Sequence, residues 1–135
     1  NFESVENNCA DIDKALSALL SDLELRGLLG ETMVVVVSEF GRTPRINGGN
    51  GRDHWPYGFS AFLAGGGIKG GTAYGEMDEI GRNPKEGKFI DPASLNATIG
   101  YAMGLPLNDI QYSPSGRPFK IAHDGEPLLD ILQIM

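Results

Sequence analysis

Residues 33–38 read MVVVVS, an apolar run with no polar alternation, and the chain then breaks at once into EFGRTPRINGGNGRDH. An unbroken run of this length is the pattern of a strand covered on both faces, as in a parallel sheet. In open parallel sheets ligands bind just beyond the carboxyl ends of strands, and residues 39–43 fall there. The segment that follows holds Glu39, Arg42, Arg45, Arg52, Asp53 and one of the chain's two histidines, His54. A strand delivering acids, arginines and a histidine to one loop is the layout of an α/β site. Residues 47–51, NGGNG, are too rich in Gly and Asn for regular structure. They let the chain turn and bring Asp53 and His54 back toward the strand end.

The rest reads as scaffold. Ile12, Leu16, Leu19, Leu20 and Leu23 form one helical stripe and predict a helix over residues 10–26. Asn8 is placed to cap it, Asp11 and Asp13 fall in its first turn, and Gly27 can stop it. Helix, short connection (28–32) and strand make one crossover unit. FSAFLA, residues 59–64, predicts a second buried strand ending in three glycines. Residues 72–74 suit a short strand, and 77–87 a charged surface loop. Asp91 and Pro92 open a second helix, as N-cap and first helical residue. Leu95, Thr98, Ile99, Ala102 and Met103 supply its stripe and Gly104 its end. Pro106, Pro114 and Pro118 make residues 105–125 mostly loops, with an edge strand at 119–122. Residues 128–134 suit a short terminal helix.

A chain of 135 residues suits one domain. Its net charge of −7 argues against nonspecific nucleic-acid binding, which needs a basic surface. An anionic substrate would need local positive charge, from a metal or clustered arginines. The single cysteine, Cys9, excludes an intrachain disulfide. No apolar run approaches the ~20 residues of a membrane span, and no signal peptide is visible. The chain begins at Asn1 rather than Met, which suits a processed product or a fragment.

Each candidate residue has a plain alternative. Glu39 is a hard oxygen donor for a divalent metal, or a base; otherwise it is a surface acid, or one paired with Arg42. His54 suits a zinc-type ligand, with Asp53 orienting it or binding elsewhere; otherwise it packs on Trp55. Arg42, Arg45 and Arg52 suit phosphate or sulfate, since the guanidinium fork binds such groups bidentately; otherwise they are solvated, the preferred reading for Arg45. GGGIKGG, residues 65–71, is not a nucleotide loop, because no Gly-Lys-Ser/Thr follows and no strong helix starts there; a tight turn at a strand end explains it better. His123 reads as a surface histidine. Cys9 is followed by Ala10-Asp11-Ile12-Asp13, so the sulfatase Cys-x-Pro-x-Arg signature is absent.

The runs SEFGRTP, GRDHWPYGFSAFLAGGGIKGG, YGEMDEIG and DPASLNATIGYAMGL, in this order, resemble one bacterial family, the domain of unknown function 1501. The resemblance runs from about Asp11 to Leu132. That family is often labelled sulfatase-like and grouped with the alkaline-phosphatase superfamily. The resemblance implies an α/β fold in which this chain, residues 1–135, is the C-terminal part of a doubly wound, mostly parallel sheet flanked by helices. It further implies a divalent metal ion (zinc, manganese or calcium) with Glu39 and His54 as ligands, and Arg42, Arg52 and Asp53 as catalytic groups. Where the superfamily commonly has an Asp-His metal pair, this chain has Glu39-Phe40, and Phe40 cannot bind a metal. The nucleophile and an Asp-x-His pair are expected upstream of Asn1, in a missing N-terminal half that is the expected partner of this one.

Two functions follow as expectations. One is part of a metal-dependent hydrolase of phosphate or sulfate esters, the isolated chain being inactive. The other is a non-catalytic binding module for a sulfated polysaccharide or a cell-surface partner, which the Phe40 departure favours. A nucleotide-binding regulator rests on GGGIKGG alone and is the weakest. Relatives with export signals make the periplasm or cell envelope the expected location of the parent protein.

Overall fold

The computed structural model describes residues 2–133. Its elements in order are α1 (Phe2–Leu25), a 3-10 turn (Leu29–Glu31), β1 (Met33–Val37), β2 (Gly41–Arg42), β3 (His54–Trp55), β4 (Ala61–Gly65), α2 (Pro92–Ala102), β5 (Ile110–Tyr112), β6 (Pro118–Lys120) and a second 3-10 turn (Leu129–Ile131). The strands form three separate antiparallel pairs, β1–β4, β2–β3 and β5–β6. This corrects the expected doubly wound, mostly parallel sheet. The segment joining β1 to β4 carries the β2–β3 ribbon and no helix. A parallel return needs a long crossover, usually helical; without one, β4 comes back antiparallel, Val34 opposite Ala64 and Val36 opposite Phe62. Nor is β1 covered on both faces: residues 33–35 are half-buried, and Val36 and Val37 are exposed. A uniformly apolar strand states a preference for cover and says nothing of its neighbour's direction.

The apolar stripe of residues 12–23 does lie on a helix, but α1 begins at Phe2, so Asn8 is no cap and Asp11 and Asp13 sit mid-helix. Its end is as the sequence suggests. Gly27, at φ +70°, donates to the Glu24 carbonyl at 2.9 Å, and Leu28 donates to Leu23 at 2.8 Å. This double closure needs a left-handed residue, which glycine adopts at no steric cost. Arg26 pairs with Asp22 at 2.8 Å. No residue of α1 is buried. Ile12 is 56% exposed and Leu19 46%, while Leu16, Leu20 and Leu23 are half-buried.

The core sits instead between α2 and the tail that follows it. Leu95, Ala97, Thr98 and Gly100 of α2 are buried, with Ala122 and Leu132. The helix starts as its sequence predicts. Asp91 accepts from the Ser94 N–H at 2.9 Å and the Ser94 hydroxyl at 2.8 Å, with Pro92 in the first turn. At its other end Gly104, at φ +71°, and Leu105 repeat the closure seen after α1. Ala97 and Gly100 take inner positions while Met103 is 64% exposed. Small residues face inward because the tail packs close: a Cβ at Gly100 would stand 2.8 Å from Leu107 Cδ2.

Thr98 is wholly enclosed. Its hydroxyl donates to Ser94 O at 2.7 Å and accepts from the Leu128 N–H at 2.9 Å. Thr98→Val keeps the shape and leaves that N–H without a partner. The expected cost is about 1–3 kcal/mol, measured by denaturant unfolding of the full chain.

The Asp91 carboxyl is held below the usual range, first by the Ser94 N–H and then by the Ser94 hydroxyl. A folded-state pKa below the unfolded one gives a stabilisation that is full above the unfolded value. It is lost as pH falls through the folded one. Asp91→Ala is therefore expected to cost about 1 kcal/mol at neutral pH and to flatten the loss of stability below about pH 4. An acid titration of helical circular dichroism, variant against parent, checks both.

Smaller expectations divide. The predicted edge strand appears as β6, slightly earlier, paired with β5. Residues 72–74 form no strand. The terminal helix reduces to Leu129–Ile131, and its expected last residue, Ile134, lies outside the described residues. The accessible surface is 10103 Å². A self-contained monomer of 14.5 kDa would expose about 6,900 Å². Among the described residues, no helix is long and apolar enough to cross a membrane.

Candidate functional site

Beyond β1 the Ser38 hydroxyl donates to the Phe40 carbonyl at 2.8 Å, which turns the chain into β2. Gly41 then passes so near residue 58 that a Cβ would overlap the Gly58 carbonyl. The β2–β3 ribbon sets Gly41 opposite Trp55 and Arg42 opposite His54. It is extended by Thr43, whose N–H donates to Asp53 O at 3.0 Å and whose hydroxyl accepts from the Asp53 N–H at 3.1 Å.

The Gly/Asn loop is organised by Asn47. Its side-chain oxygen accepts from Gly49 at 2.9 Å and Gly51 at 3.1 Å. Its side-chain nitrogen donates to Asp53 Oδ1 at 2.7 Å. The loop does return His54 toward the strand end, as the composition suggested.

Directly opposite residues of an antiparallel pair project to the same face, so Arg42 and His54 stand together. Phe40 packs near both. Its ring centroid is 4.0 Å from that of His54, tilted by 31°, and the Arg42 guanidinium is 5.8 Å from the same ring. Arg42 Nη1 also donates to the Arg52 carbonyl at 3.2 Å. A second cluster forms around Trp55. Tyr57 meets its ring edge-on at 5.0 Å, and the Arg82 guanidinium lies 5.1 Å from it. The Trp55 indole N–H donates to the Arg82 carbonyl. Arg82 is set by Asp78, whose carboxylate accepts the Arg82 N–H at 2.6 Å and the Asn83 N–H at 3.0 Å. Those bonds, the Arg82 N–H first, hold the Asp78 carboxyl below its usual range.

The predicted site residues are thus partly assembled. Arg42 and His54 share a face. Arg52 contributes its carbonyl, and its side chain is exposed. Asp53 is tied to Asn47 within the loop. Glu39 is exposed and makes no ion pair with Arg42. His54 packs on Phe40 rather than on Trp55. Tyr57 and Arg82 have no role in the sequence reading, and Phe40 enters it only as a residue that cannot bind a metal. The aromatic run through Trp55 and Tyr57 is a visible signal, whereas Arg82 arrives from a distant loop.

A divalent metal does not fit these residues alone. Among the described residues, no three His, Cys, Asp or Glu side chains gather to hold one. Glu39 and His54 offer two donors where zinc takes four ligands and calcium six or more. Gly65, Gly66 and Gly67 all have positive φ and form a tight turn at the end of β4. Cys9 is exposed on α1.

A family model described as "Protein of unknown function (DUF1501)" matches residues 1–132. No curated protein and no solved structure matches.

Proposed function

The chain belongs to the DUF1501 family, and from that premise we propose that the Arg42–His54 face of the β2–β3 ribbon recognises the anionic group of a sulfate or phosphate ester. One observation carries the reading. Arg42 and His54 are opposite one another in the ribbon and both stand near the Phe40 ring, and among the described residues neither meets a carboxylate. A guanidinium fork beside an imidazole donor suits a tetrahedral oxyanion. An anionic ligand of an acidic chain requires local positive charge, and Arg45 and Arg52 of the same segment likewise meet no carboxylate among the described residues. The ligand class is a sulfated polysaccharide or a cell-surface partner bearing such groups, and the role is binding.

Glu39 favours a second reading, a metal-dependent hydrolase of phosphate or sulfate esters. It stands free just past β1, beside the residue that stacks on His54. In that reading Glu39 and His54 are ligands that need others from outside the described residues. A partner segment carrying the remaining donors would be their source.

The test is calorimetric titration of the full chain with inorganic sulfate and with dextran sulfate, uncharged dextran serving as control. Saturable binding that weakens in Arg42→Ala supports the site. Indifference to that change removes it. Elemental analysis alongside decides the role: stoichiometric zinc, manganese or calcium, lost in His54→Ala, would transfer the reading to the hydrolase.

A further inference from the structure

Residues 40–75 carry four bases, Arg42, Arg45, Arg52 and Lys69, against one acid, Asp53. The rest of the chain holds seven bases against seventeen acids. Positive charge is thus confined to one stretch, and three of its four bases fall on the β2–β3 ribbon and its loop. Strand register sorts them. Arg42 stands opposite His54, and the next pair is joined by the Thr43 N–H donating to Asp53 O at 3.0 Å. Side chains alternate between the faces of a strand. Asp53 therefore projects away from the Arg42–His54 face, and its Oδ1 accepts from Asn47 at 2.7 Å. Arg52, one residue further, returns to the face of His54. The Arg42 side chain runs toward it, since Nη1 donates to the Arg52 carbonyl at 3.2 Å. Arg45 lies in the bend after Thr43, beyond the paired residues.

We infer that Arg52 forms a second anion subsite beside Arg42 and His54, and that the ribbon takes a linear saccharide through two sulfate groups rather than one. The inference rests on the sulfate reading above and adds the ligand's valence to it. All three residues are exposed, and the one acid of the stretch is turned aside into the loop.

Each guanidinium fork matches one tetrahedral group. Residues two apart in a strand are separated by about 7 Å, a spacing that suits neighbouring groups on a chain. Two linked groups bind with a shared loss of freedom, so the second adds more than its own weak affinity. A nucleic acid fits less well. Its charge is dense and continuous, and it would run from this short row onto the acidic remainder of the chain.

The probes are glucose 6-sulfate, which offers one anionic group, and fully sulfated maltotetraose, which offers a row of them. A thymidine decanucleotide is the control polyanion. Each is titrated calorimetrically into the full chain at several salt concentrations. The tetraose should bind about tenfold tighter than the monosulfate, or more. Arg52→Ala should lower that ratio about fivefold and reduce the salt slope of tetraose binding by about one. Arg52→Lys keeps the charge without the fork and should fall between. Arg52 meets Arg42 through its backbone carbonyl, so both variants should keep the parent's helical circular dichroism; if Arg52→Ala does not, the ratio in Arg52→Lys decides. A ratio that stays at the parent's value would overturn the inference. So would an equal fall in Arg45→Ala, which would mean diffuse charge, or tighter binding of the decanucleotide than of the tetraose. A tetraose no tighter than the monosulfate would overturn it while the single-anion reading stands. Indifference of both saccharides to Arg42→Ala would remove that reading and this inference with it.

Discussion

Gly125→Ala should destabilise the chain by about 3 kcal/mol. Gly125 closes a turn onto Ala122 at 2.9 Å and presses the tail against the first turn of α2. A Cβ there would overlap the Ala93 carbonyl, which is backbone and cannot swing aside. The tail must lift, and two bonds follow it. Glu126 donates to the Ser94 hydroxyl at 3.3 Å and Leu128 donates to Thr98 at 2.9 Å. The unfolding midpoint should fall by about 10 °C. Gly104→Ala is the control. Unlike Gly125 it sits at positive φ, and a Cβ there meets nothing within 4 Å, so it should cost about 1 kcal/mol of backbone strain alone. If the two variants melt together, the tail is not seated on α2 as described.

Arg42→Ala should weaken binding of dextran sulfate about tenfold or more, the loss of a charge-assisted hydrogen-bonded pair. Arg42→Lys keeps the charge and loses the fork, so its effect should be intermediate. Arg45 belongs to the same loop and is exposed, and its side chain takes no part in the Phe40 stack. Arg45→Ala should change affinity little. Equal losses from Arg42→Ala and Arg45→Ala would show that overall charge, not this face, does the binding. Raising salt separates the two further, because diffuse attraction between exposed charges is screened first.

The sequence was readable where a residue's own chemistry decides its geometry. Asp91-Pro92 and Gly104 mark both ends of α2, and Gly27 marks the end of α1, because caps and left-handed closures are local demands. The Asn47 loop was legible as a turn for the same reason. Its service as an amide scaffold holding Asp53 was not, because that depends on which atoms the fold brings near. The sheet was misread because valines in a row report hydrophobicity without direction. Only the lack of a crossover helix after β1 marks β4 as antiparallel. The helix stripe of residues 12–23 was right in phase and wrong in consequence, since periodicity describes a face and not what lies against it. At the site, pairing of Arg42 with His54 followed from strand register, which spacing alone does not set, and Arg82 reaches Trp55 through a turn built by Asp78.

The thin cover of α1 also has a consequence in time. Because it buries no residue, its turns can open without disturbing the packing around α2. Helix–coil opening in isolated helices takes about a microsecond or less. Its amides should therefore trade hydrogen for deuterium early, from both the start and the middle of the helix. Those around Leu95 and Thr98 must wait until the tail lifts away. The chain should then exchange in two well-separated waves.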